Sequence, residues 1–205
     1  MVSRFLTSDI CSVKNILPLV FLSLGLSLSG QVQPVVDTSG VVGDGFHCRN
    51  GRLLKVAGGK EICSFSAGLR GGITSFDTLN PFKILVFSAP FQKIYYLDNR
   101  LVPLSQEFSL SDLGLGEVTC VCASKYGGFW VFDRWSGMLV RFDSQAQRVS
   151  ASEAFSLLGL SKAEPTKIRE VGNQLYVCCG ESGGYRFDLF GSYIGPDPAM
   201  RPEDF

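Results

Sequence analysis

A short β-strand pattern recurs at a fixed spacing along this chain. Residues 94–98, 139–143 and 184–188 are apolar or aromatic runs that each end in an aspartate, and these aspartates are 45 residues apart (143 − 98 and 188 − 143). A repeat of about 40–45 residues made of short strands is typical of β-propeller blades. The spacing therefore predicts an all-β propeller of about four blades, each a four-stranded antiparallel sheet, that is partial or incompletely closed. An aspartate at a strand end can accept hydrogen bonds from turn amides, so we assign these side chains a structural role.

The composition agrees with this fold and argues against a nucleic-acid partner. The 205 residues are enough for one domain with a core, and the 23 glycines and 16 phenylalanines suit tight turns between aromatic strands. Lys and Arg together number 19, as do Asp and Glu, so the formal net charge is +0. A chain without a basic field has no means to hold a phosphate backbone, and we expect no nucleic acid as its main partner.

The first 30 residues have the layout of a secretory signal peptide. A positively charged start is followed by an apolar run over 16–28 and by the small residues Ser29 and Gly30, which suit cleavage. The run is too short to span a bilayer comfortably, and no later segment is long and apolar enough to do so. We therefore expect an exported protein of the periplasm or cell envelope, with no membrane span after cleavage.

The end of the repeat raises the question of ring closure. We assign 31–195 to the propeller domain and 196–205 to an irregular tail, since the tail has no strand pattern. Either the segment 32–36 supplies a missing strand to the last blade, or the propeller is partial. A partial propeller has an unpaired blade edge, which favours self-association.

Several stretches carry a resemblance to a known group of proteins. They include 80–85 (Asn-Pro-Phe-Lys-Ile-Leu), 128–133 (Gly-Phe-Trp-Val-Phe-Asp) and 187–194 (Phe-Asp-Leu-Phe-Gly-Ser-Tyr-Ile). Through them residues 71–194 resemble an uncharacterised family of exported β-propeller proteins of Gram-negative bacterial envelopes. The resemblance implies an envelope location and assigns no activity. Members of that family continue with another blade or two where this chain has Gly195-Pro-Asp-Pro. This departure argues against a closed ring and is consistent with a shortened reading frame.

Cysteines offer a candidate link between two blades. Six of them follow the predicted signal peptide, an even number that fits disulfides in an oxidising compartment. Cys120 and Cys122 lie two positions apart and share one face of a predicted inner strand, whereas Cys178 and Cys179 point to opposite faces. Among possible disulfides, one that joins a member of the first pair to a member of the second is the best candidate. The interpretation that we favour is that the cysteines are free buried thiols that pack as small hydrophobic groups.

Catalytic patterns are weak in this sequence. His47 is the single histidine, it lies in an alternating strand pattern, and no Gly-x-Ser-x-Gly motif accompanies it. Asp133 and Asp143 would end neighbouring strands of one blade, but a carboxylate pair needs a sugar-sized cleft to act on glycans. We therefore predict a protein that is not an enzyme and that uses no cofactor and no metal.

Two classes of function remain. Phe91, Tyr126 and Trp135 fall at turn positions and would be anchors for a partner if they were exposed on one rim. They favour a scaffold or interaction module that holds a protein of the cell envelope. The alternative is a binder of small molecules or glycans, with or without hydrolytic activity, that uses the central channel. The candidate channel-lining residues are the polar ones of the predicted inner strands, Thr74, Asp77, Thr119 and Lys167.

Overall fold

The chain folds into antiparallel sheets joined by short turns, in a computed structural model that describes residues 44–68, 72–104, 107–180 and 183–200. Within these ranges fifteen strands form four sheets. The first sheet has three strands, β1 (Gly45–Arg49), β2 (Arg52–Ala57) and β3 (Lys60–Ser66). The second has β4 (Ser75–Asp77), β5 (Ile84–Ser88), β6 (Lys93–Leu97) and β7 (Phe108–Ser109). The third has β8 (Val118–Ala123), β9 (Phe129–Asp133), β10 (Met138–Phe142) and β11 (Arg148–Ala151). The fourth has β12 (Lys167–Val171), β13 (Gln174–Cys178), β14 (Gly184–Asp188) and β15 (Tyr193–Asp197).

These sheets are the blades of a propeller, and we number them blades 1 to 4 in chain order. Strands follow one another across each sheet in sequence order. The first strands of blades 2, 3 and 4 lie side by side, β4 against β8 and β8 against β12. The sheets do not close into a ring. The predicted all-β, incompletely closed propeller is confirmed.

Across the described ranges, no helix combines the length and the apolar character needed to cross a bilayer.

Blades pack on one another through alternating side chains. In β9, Phe129 and Val131 belong to the core shared with blade 2, whereas Trp130 and Phe132 belong to the core shared with blade 4. Because β9 is covered on both faces, all five of its residues are buried and its sequence has no polar alternation. This packing explains why the aromatic residues of the chain cluster in the middle blades.

The repeated aspartates have the structural role predicted for them. Each follows or ends the third strand of its blade, and one carboxylate oxygen accepts hydrogen bonds from the amides two and four residues later. For Asp98 these donors are Arg100 and Val102, each at 2.8 Å. Asp143 and Asp188 repeat the arrangement at 2.8–2.9 Å. The 45-residue spacing therefore arises because the same hydrogen-bonded loop occurs once in each of these three blades.

The last blade extends beyond the predicted domain boundary. β15 pairs with β14, so Pro196 and Asp197 belong to the sheet and not to an irregular tail. Proline is accommodated because β15 is the edge strand of its sheet, where a missing amide breaks no ladder. Blade 4 thus has four strands without any contribution from 32–36, a segment that lies outside the described residues, as does the predicted signal peptide 1–30.

Candidate functional site

An open groove lies between blades 3 and 4. It has a volume of about 590 Å³ and is lined by the β9–β10 turn and by the segment that leads from β11 to β12. This volume is within the range of pockets that take small ligands. The groove unites one predicted partner-binding residue, Trp135, with one predicted channel-lining residue, Thr119. Arg134, Glu164 and Thr166 add charged and polar groups to its wall.

Trp135 stands at the mouth of this groove, with 79% of its surface exposed. Its ring lies directly on Gly116, where a Cβ atom would be 2.4 Å from Trp135 Cδ2. Asp133, which is buried, fixes both sides of the contact, since its Oδ1 accepts hydrogen bonds from the amides of Gly116 (3.1 Å) and Trp135 (3.3 Å). The exposed ring is therefore held on a rigid support.

Phe91 repeats this arrangement in the preceding blade. It lies in the β5–β6 turn, which is equivalent to the β9–β10 turn, and is 48% exposed. Its ring lies on Gly72, where a Cβ atom would be 2.7 Å from Phe91 Cε2. Each aromatic side chain thus covers the glycine that precedes the inner strand of its own blade. We call the edge formed by residues 89–92, 110–117, 134–137 and 152–166 the Trp135 rim.

Tyr126 lies at the other end of the blade. It is 65% exposed, but it precedes β9, whereas Trp135 follows β9, so the length of the strand separates them. The Tyr126 ring contacts Lys125 and Arg141, whose cationic groups are 4.9 and 5.7 Å from its centre. The structure therefore brings Phe91 and Trp135 to one rim and excludes Tyr126 from it.

The Trp135 rim carries more acidic than basic side chains. They are Asp112, Glu117, Glu153 and Glu164 against Arg134 and Lys162. Arg134 lies between two of the carboxylates, with nitrogen–oxygen distances of 3.8 Å to both Glu117 and Glu164. The rim therefore presents exposed aromatic rings within an acidic surface.

The other candidate channel-lining residues lie on or beside the inner strands. Thr74 precedes β4 and its Oγ1 accepts a hydrogen bond from the Ala89 amide at 2.9 Å. Thr119 lies in β8 and its hydroxyl donates to the Pro165 carbonyl at 3.1 Å. Lys167 begins β12 and is half-buried. The two threonines thus bridge segments of the protein.

Asp77 fastens blade 2 to blade 3. Its two carboxylate oxygens accept hydrogen bonds from the amides of Leu79 (2.7 Å) and Ala123 (2.8 Å), and Ala123 belongs to β8. Burial raises the pKa of Asp77 above its usual value, although both hydrogen bonds act to lower it. Because both oxygens are engaged, the geometry fits a structural carboxylate.

Glu170 makes an equivalent link between blades 3 and 4, and sequence reasoning missed it. Its Oε2 accepts a hydrogen bond from Trp130 Nε1 at 3.1 Å and its Oε1 accepts one from the Lys125 amide at 3.2 Å. The side chain is 6% exposed. The sequence did contain a signal, since Glu170 lies on the apolar face of a strand. A carboxylate that is buried in this way requires hydrogen-bond donors, so a link to another segment could have been predicted.

The cross-blade disulfide is absent from the structure, which has Cys120, Cys122, Cys178 and Cys179 as free buried thiols. Cys120 and Cys122 share the face toward blade 4, as predicted. Cys178 and Cys179 pack in different core clusters, also as predicted from their adjacent positions. Burial raises the pKa of both Cys120 and Cys179 to about 12, so these thiols are protonated and unreactive at neutral pH.

The carboxylates of blade 3 do not form a catalytic pair. Asp133 is opposite Met138 at the start of β10, whereas Asp143 follows the other end of that strand. A strand of this length separates the two groups by about 13–16 Å, which is farther than glycosidase carboxylates lie. In the part of the chain that the structure describes, no three His, Cys, Asp or Glu side chains form a group suited to a metal ion.

Comparisons with known proteins show the fold. No protein-family model and no curated protein matches the chain. Similar solved structures include virginiamycin B lyase from Staphylococcus aureus (TM-score 0.51, 11% identity, 68% of this chain and 46% of the lyase). They also include Sqt1 from Saccharomyces cerevisiae (0.52, 12%, 72% and 42%) and a protein of unknown function from Bacteroides caccae (0.50, 12%, 82% and 72%).

The chain spans less than half the length of the lyase and of Sqt1. These neighbours confirm a propeller fold, and at such identities they carry nothing about activity. Function is therefore argued from the Trp135 rim.

Proposed function

We propose that this protein is a non-enzymatic interaction module that holds a protein partner on the Trp135 rim. The observation that carries the proposal is the Trp135 ring itself, 79% exposed and fixed on Gly116 at the mouth of a groove. A large aromatic side chain that is already ordered loses little conformational freedom on binding, so more of its contact energy appears as affinity. Tryptophan is also enriched among the residues that dominate interface energies.

The partner is a segment that presents an apolar side chain beside lysine or arginine. The apolar side chain fits against Trp135 and the groove, and the basic side chains face Glu117, Glu164 and the other carboxylates of the rim. Opposite charges across the interface speed the encounter and are screened by salt. We therefore expect binding to weaken as the salt concentration rises.

The proposed site of action is the cell envelope. The support is the predicted signal peptide 1–30 and the resemblance of 71–194 to exported propeller proteins. The test is fractionation of the native host followed by N-terminal sequencing of the protein. A mature chain that begins near Gly30 or Gln31 in the envelope fraction supports the proposal, and an uncut chain in the cytoplasm contradicts it.

The interaction is tested with the full chain carrying a photo-crosslinking amino acid in place of Leu157, which lies on the rim and is 78% exposed. After the crosslinked partner is identified, its Kd is measured for three variants. We expect Trp135→Ala to raise Kd at least tenfold, in line with hot-spot losses of about 2 kcal/mol or more. Gly116→Ala should act in the same direction, because its Cβ displaces the Trp135 ring.

Tyr126→Ala is the matched control, since it removes an exposed aromatic side chain from the opposite end of β9. Its Kd should stay within about twofold of the original protein. Equal losses for Tyr126→Ala and Trp135→Ala would place the interface elsewhere.

A second candidate function, binding of a small molecule or glycan, is favoured by one observation. The groove combines a tryptophan face with the hydroxyl of Thr166 and with Glu164 and Arg134, a mixture that suits a sugar. Native mass spectrometry of the purified chain distinguishes the two. A retained small ligand that is lost in Trp135→Ala, with no protein crosslink, favours this second function.

A further inference from the structure

A second groove lies between blades 2 and 3, at the end of the blades opposite the Trp135 rim. It has a volume of about 360 Å³, which is within the range of pockets that take small ligands. Its walls come from the β4–β5 connection, the β8–β9 connection and Tyr96 of β6. We call it the Lys83 groove, after the lysine that precedes β5.

Two hydroxyl groups of this groove are buried and make no hydrogen bond. They belong to Tyr96 and Ser124, and both residues are more than nine-tenths buried. Neither the Tyr96 hydroxyl nor Ser124 Oγ has a hydrogen-bond partner among the described residues. Such groups are rare in folded proteins, because a buried polar atom without a partner costs free energy. Two of them at one groove indicate that a bound molecule supplies the acceptors.

The backbone on both sides of the groove is fixed by hydrogen bonds. Tyr96 is opposite Leu85 in the β5–β6 pair. The Ser124 amide donates to the Gly128 carbonyl at 3.1 Å, and the Ser124 carbonyl accepts from the Gly127 amide at 3.0 Å. The two hydroxyls are therefore carried by ordered segments, and a ligand need not order them.

Lysine side chains give the groove a positive charge. Lys83 Nζ lies 4.1 Å from the centre of the Tyr96 ring, and Lys83 forms no ion pair with a described residue. Lys125 Nζ donates to the Gly172 carbonyl and to Asn173 Oδ1, which are both uncharged acceptors. The described residues that line the groove include these two lysines and no carboxylate. Positive charge beside two hydroxyl donors fits an anionic group.

Asp77 is the acidic group behind the groove, and it does not satisfy the Tyr96 hydroxyl. Its two oxygens accept hydrogen bonds from the amides of Leu79 and Ala123. Burial raises the pKa of Tyr96, and the charge of Asp77 raises it further, so the hydroxyl keeps its proton at neutral pH. The Tyr96 hydroxyl is therefore available as a donor to a ligand.

We propose that the Lys83 groove binds the oxyanion group, a phosphate or a carboxylate, of a small molecule. Oxygens of this group accept hydrogen bonds from the Tyr96 hydroxyl and from Ser124 Oγ, and the Lys83 ammonium balances their charge. The groove and the Trp135 rim lie at opposite ends of the blades, so the proposal does not depend on the proposed protein partner.

Binding is tested by titrating the full chain, labelled with ¹⁵N, with inorganic phosphate and separately with acetate at constant ionic strength. We expect saturable shifts of the Gly127 and Gly128 amide signals with at least one probe, at concentrations that saturate a millimolar Kd. Saturation by phosphate alone assigns the site to phosphorylated molecules, and saturation by acetate alone assigns it to carboxylates. No saturable shift with either probe would overturn the proposal.

Variants separate this site from a general attraction of anions to lysine. Lys83→Met and Tyr96→Phe should each raise the Kd of the probe at least tenfold, because each removes a hydrogen bond to a charged group. Lys60→Met and Tyr95→Phe are the matched controls, since Lys60 is exposed in blade 1 and Tyr95 packs in a different core cluster from Tyr96. Both controls should bind as the original chain does. An unchanged Kd in Tyr96→Phe would show that the buried hydroxyl does not contact the anion.

Unfolding in denaturant gives a measurement that does not depend on the shifts. Without a probe, Tyr96→Phe should lose no stability, because the hydroxyl that it removes makes no hydrogen bond in the folded protein. A saturating probe should stabilise the original chain more than Tyr96→Phe, since the variant binds it more weakly. A loss of stability in Tyr96→Phe without a probe would assign the hydroxyl to the fold and contradict its role as a ligand donor.

Discussion

The cysteines of blades 3 and 4 show how burial decides the chemistry of single residues. Cys120 and Cys179 pack against aliphatic and aromatic side chains, and the cost of a buried thiolate raises the pKa of each to about 12. Cys48 and Cys63 in blade 1 are only half-buried. Burial raises the pKa of Cys48 as well, but the partial exposure of Cys48 and Cys63 leaves both within reach of a reagent in solution.

We expect a thiol reagent at pH 8 to label Cys48 and Cys63 in the native chain and to leave the four thiols of blades 3 and 4 unlabelled. Unfolding without reductant should expose all six, because none is in a disulfide. Labelled peptides are identified by mass spectrometry, which separates these sites from Cys11. Two thiols of blades 3 and 4 that stay unlabelled after unfolding would show the cross-blade disulfide instead.

The strand face to which a side chain points could be predicted from the sequence, but the hydrogen-bond partners of the buried carboxylates could not. The i, i+2 spacing of Cys120 and Cys122 placed both on one face because strand side chains alternate. The roles of Asp77 and Glu170 depended on which amide of a neighbouring blade comes within reach. That information lies in the packing of separate segments and has no local signal.

The loop after the third strand of blades 2, 3 and 4 is the smallest element that repeats in this fold. Besides the aspartate, it has a residue with positive φ three positions later, which is Leu101 (61°), Ala146 (58°) or Gly191 (94°). A side chain in this region is strained, so the loop is stable only while other bonds hold it. The hydrogen bonds to the aspartate carboxylate hold the loop in this conformation. The aspartate therefore recurs in all three loops, whereas the residue at positive φ differs among them.

Asp143→Ala should therefore destabilise the protein by about 1–2 kcal/mol, the range for lost hydrogen bonds to a charged acceptor at a partly exposed site. For a domain of this size the melting temperature falls by about 2–8 °C. Asp143→Asn keeps one acceptor oxygen and should lose less. Thermal unfolding of both variants checks the order, and equal losses would show that the amide hydrogen bonds are not the cause.

A strand is easiest to recognise from sequence where its burial pattern is simple. β9 is such a case, because it is covered on both faces and its first four residues form an uninterrupted apolar run. The second half of β15 was missed because Gly195 and Pro196 are typical of a chain break, whereas an edge strand tolerates both. The position of a strand within its sheet is a tertiary property, so local sequence did not distinguish the two cases.

At the scale of the whole molecule, buried polar groups connect the blades as well as the apolar cores do. Asp77 reaches from blade 2 to the backbone of blade 3, and Glu170 reaches from blade 4 to Trp130. Each link places a buried carboxylate between two blades, and burial raises the pKa of the one at Asp77. Asp188, by contrast, serves only its own loop.

Two variants should show opposite pH dependence. Burial raises the pKa of Asp77, so the carboxyl group loses its proton at a lower pH in the unfolded chain than in the folded one. As the pH rises from about 4 to the pKa of the folded state, the free energy of unfolding that this group contributes therefore decreases. Burial also acts to raise the pKa of Asp188, but amide hydrogen bonds from Ser192 and Phe190 lower it overall, so its stability is lost as the pH falls below about 4.

The measurement is the unfolding free energy in denaturant across pH 2–8 for the original chain, Asp77→Asn and Asp188→Asn. The difference between the original chain and Asp77→Asn should fall with rising pH. The difference for Asp188→Asn should increase with rising pH. Parallel curves for either variant would contradict the corresponding assignment.

The number of blades was predictable from the 45-residue period, but the blade with only three described strands was not. The sequence favoured an incomplete last blade because the pattern fades after Ile194. The structure completes that blade with β15 and leaves three described strands in the first. The hydrogen bond from the Ile73 amide to the Gly51 carbonyl makes the β1–β2 turn equivalent to the β5–β6 and β9–β10 turns, so the three described strands of blade 1 correspond to the second, third and fourth strands of the other blades.

The two tryptophans of the chain lie five positions apart in the sequence, but one is buried and the other is exposed to solvent. Trp130 is fully buried between blades 3 and 4, and Trp135 is almost fully exposed on the rim. Their emission maxima should differ accordingly, and a soluble quencher should reach only one of them. The protein thus contains two optical reporters, one that follows the docking of the blades and one that follows whatever settles on the rim, without the addition of any label.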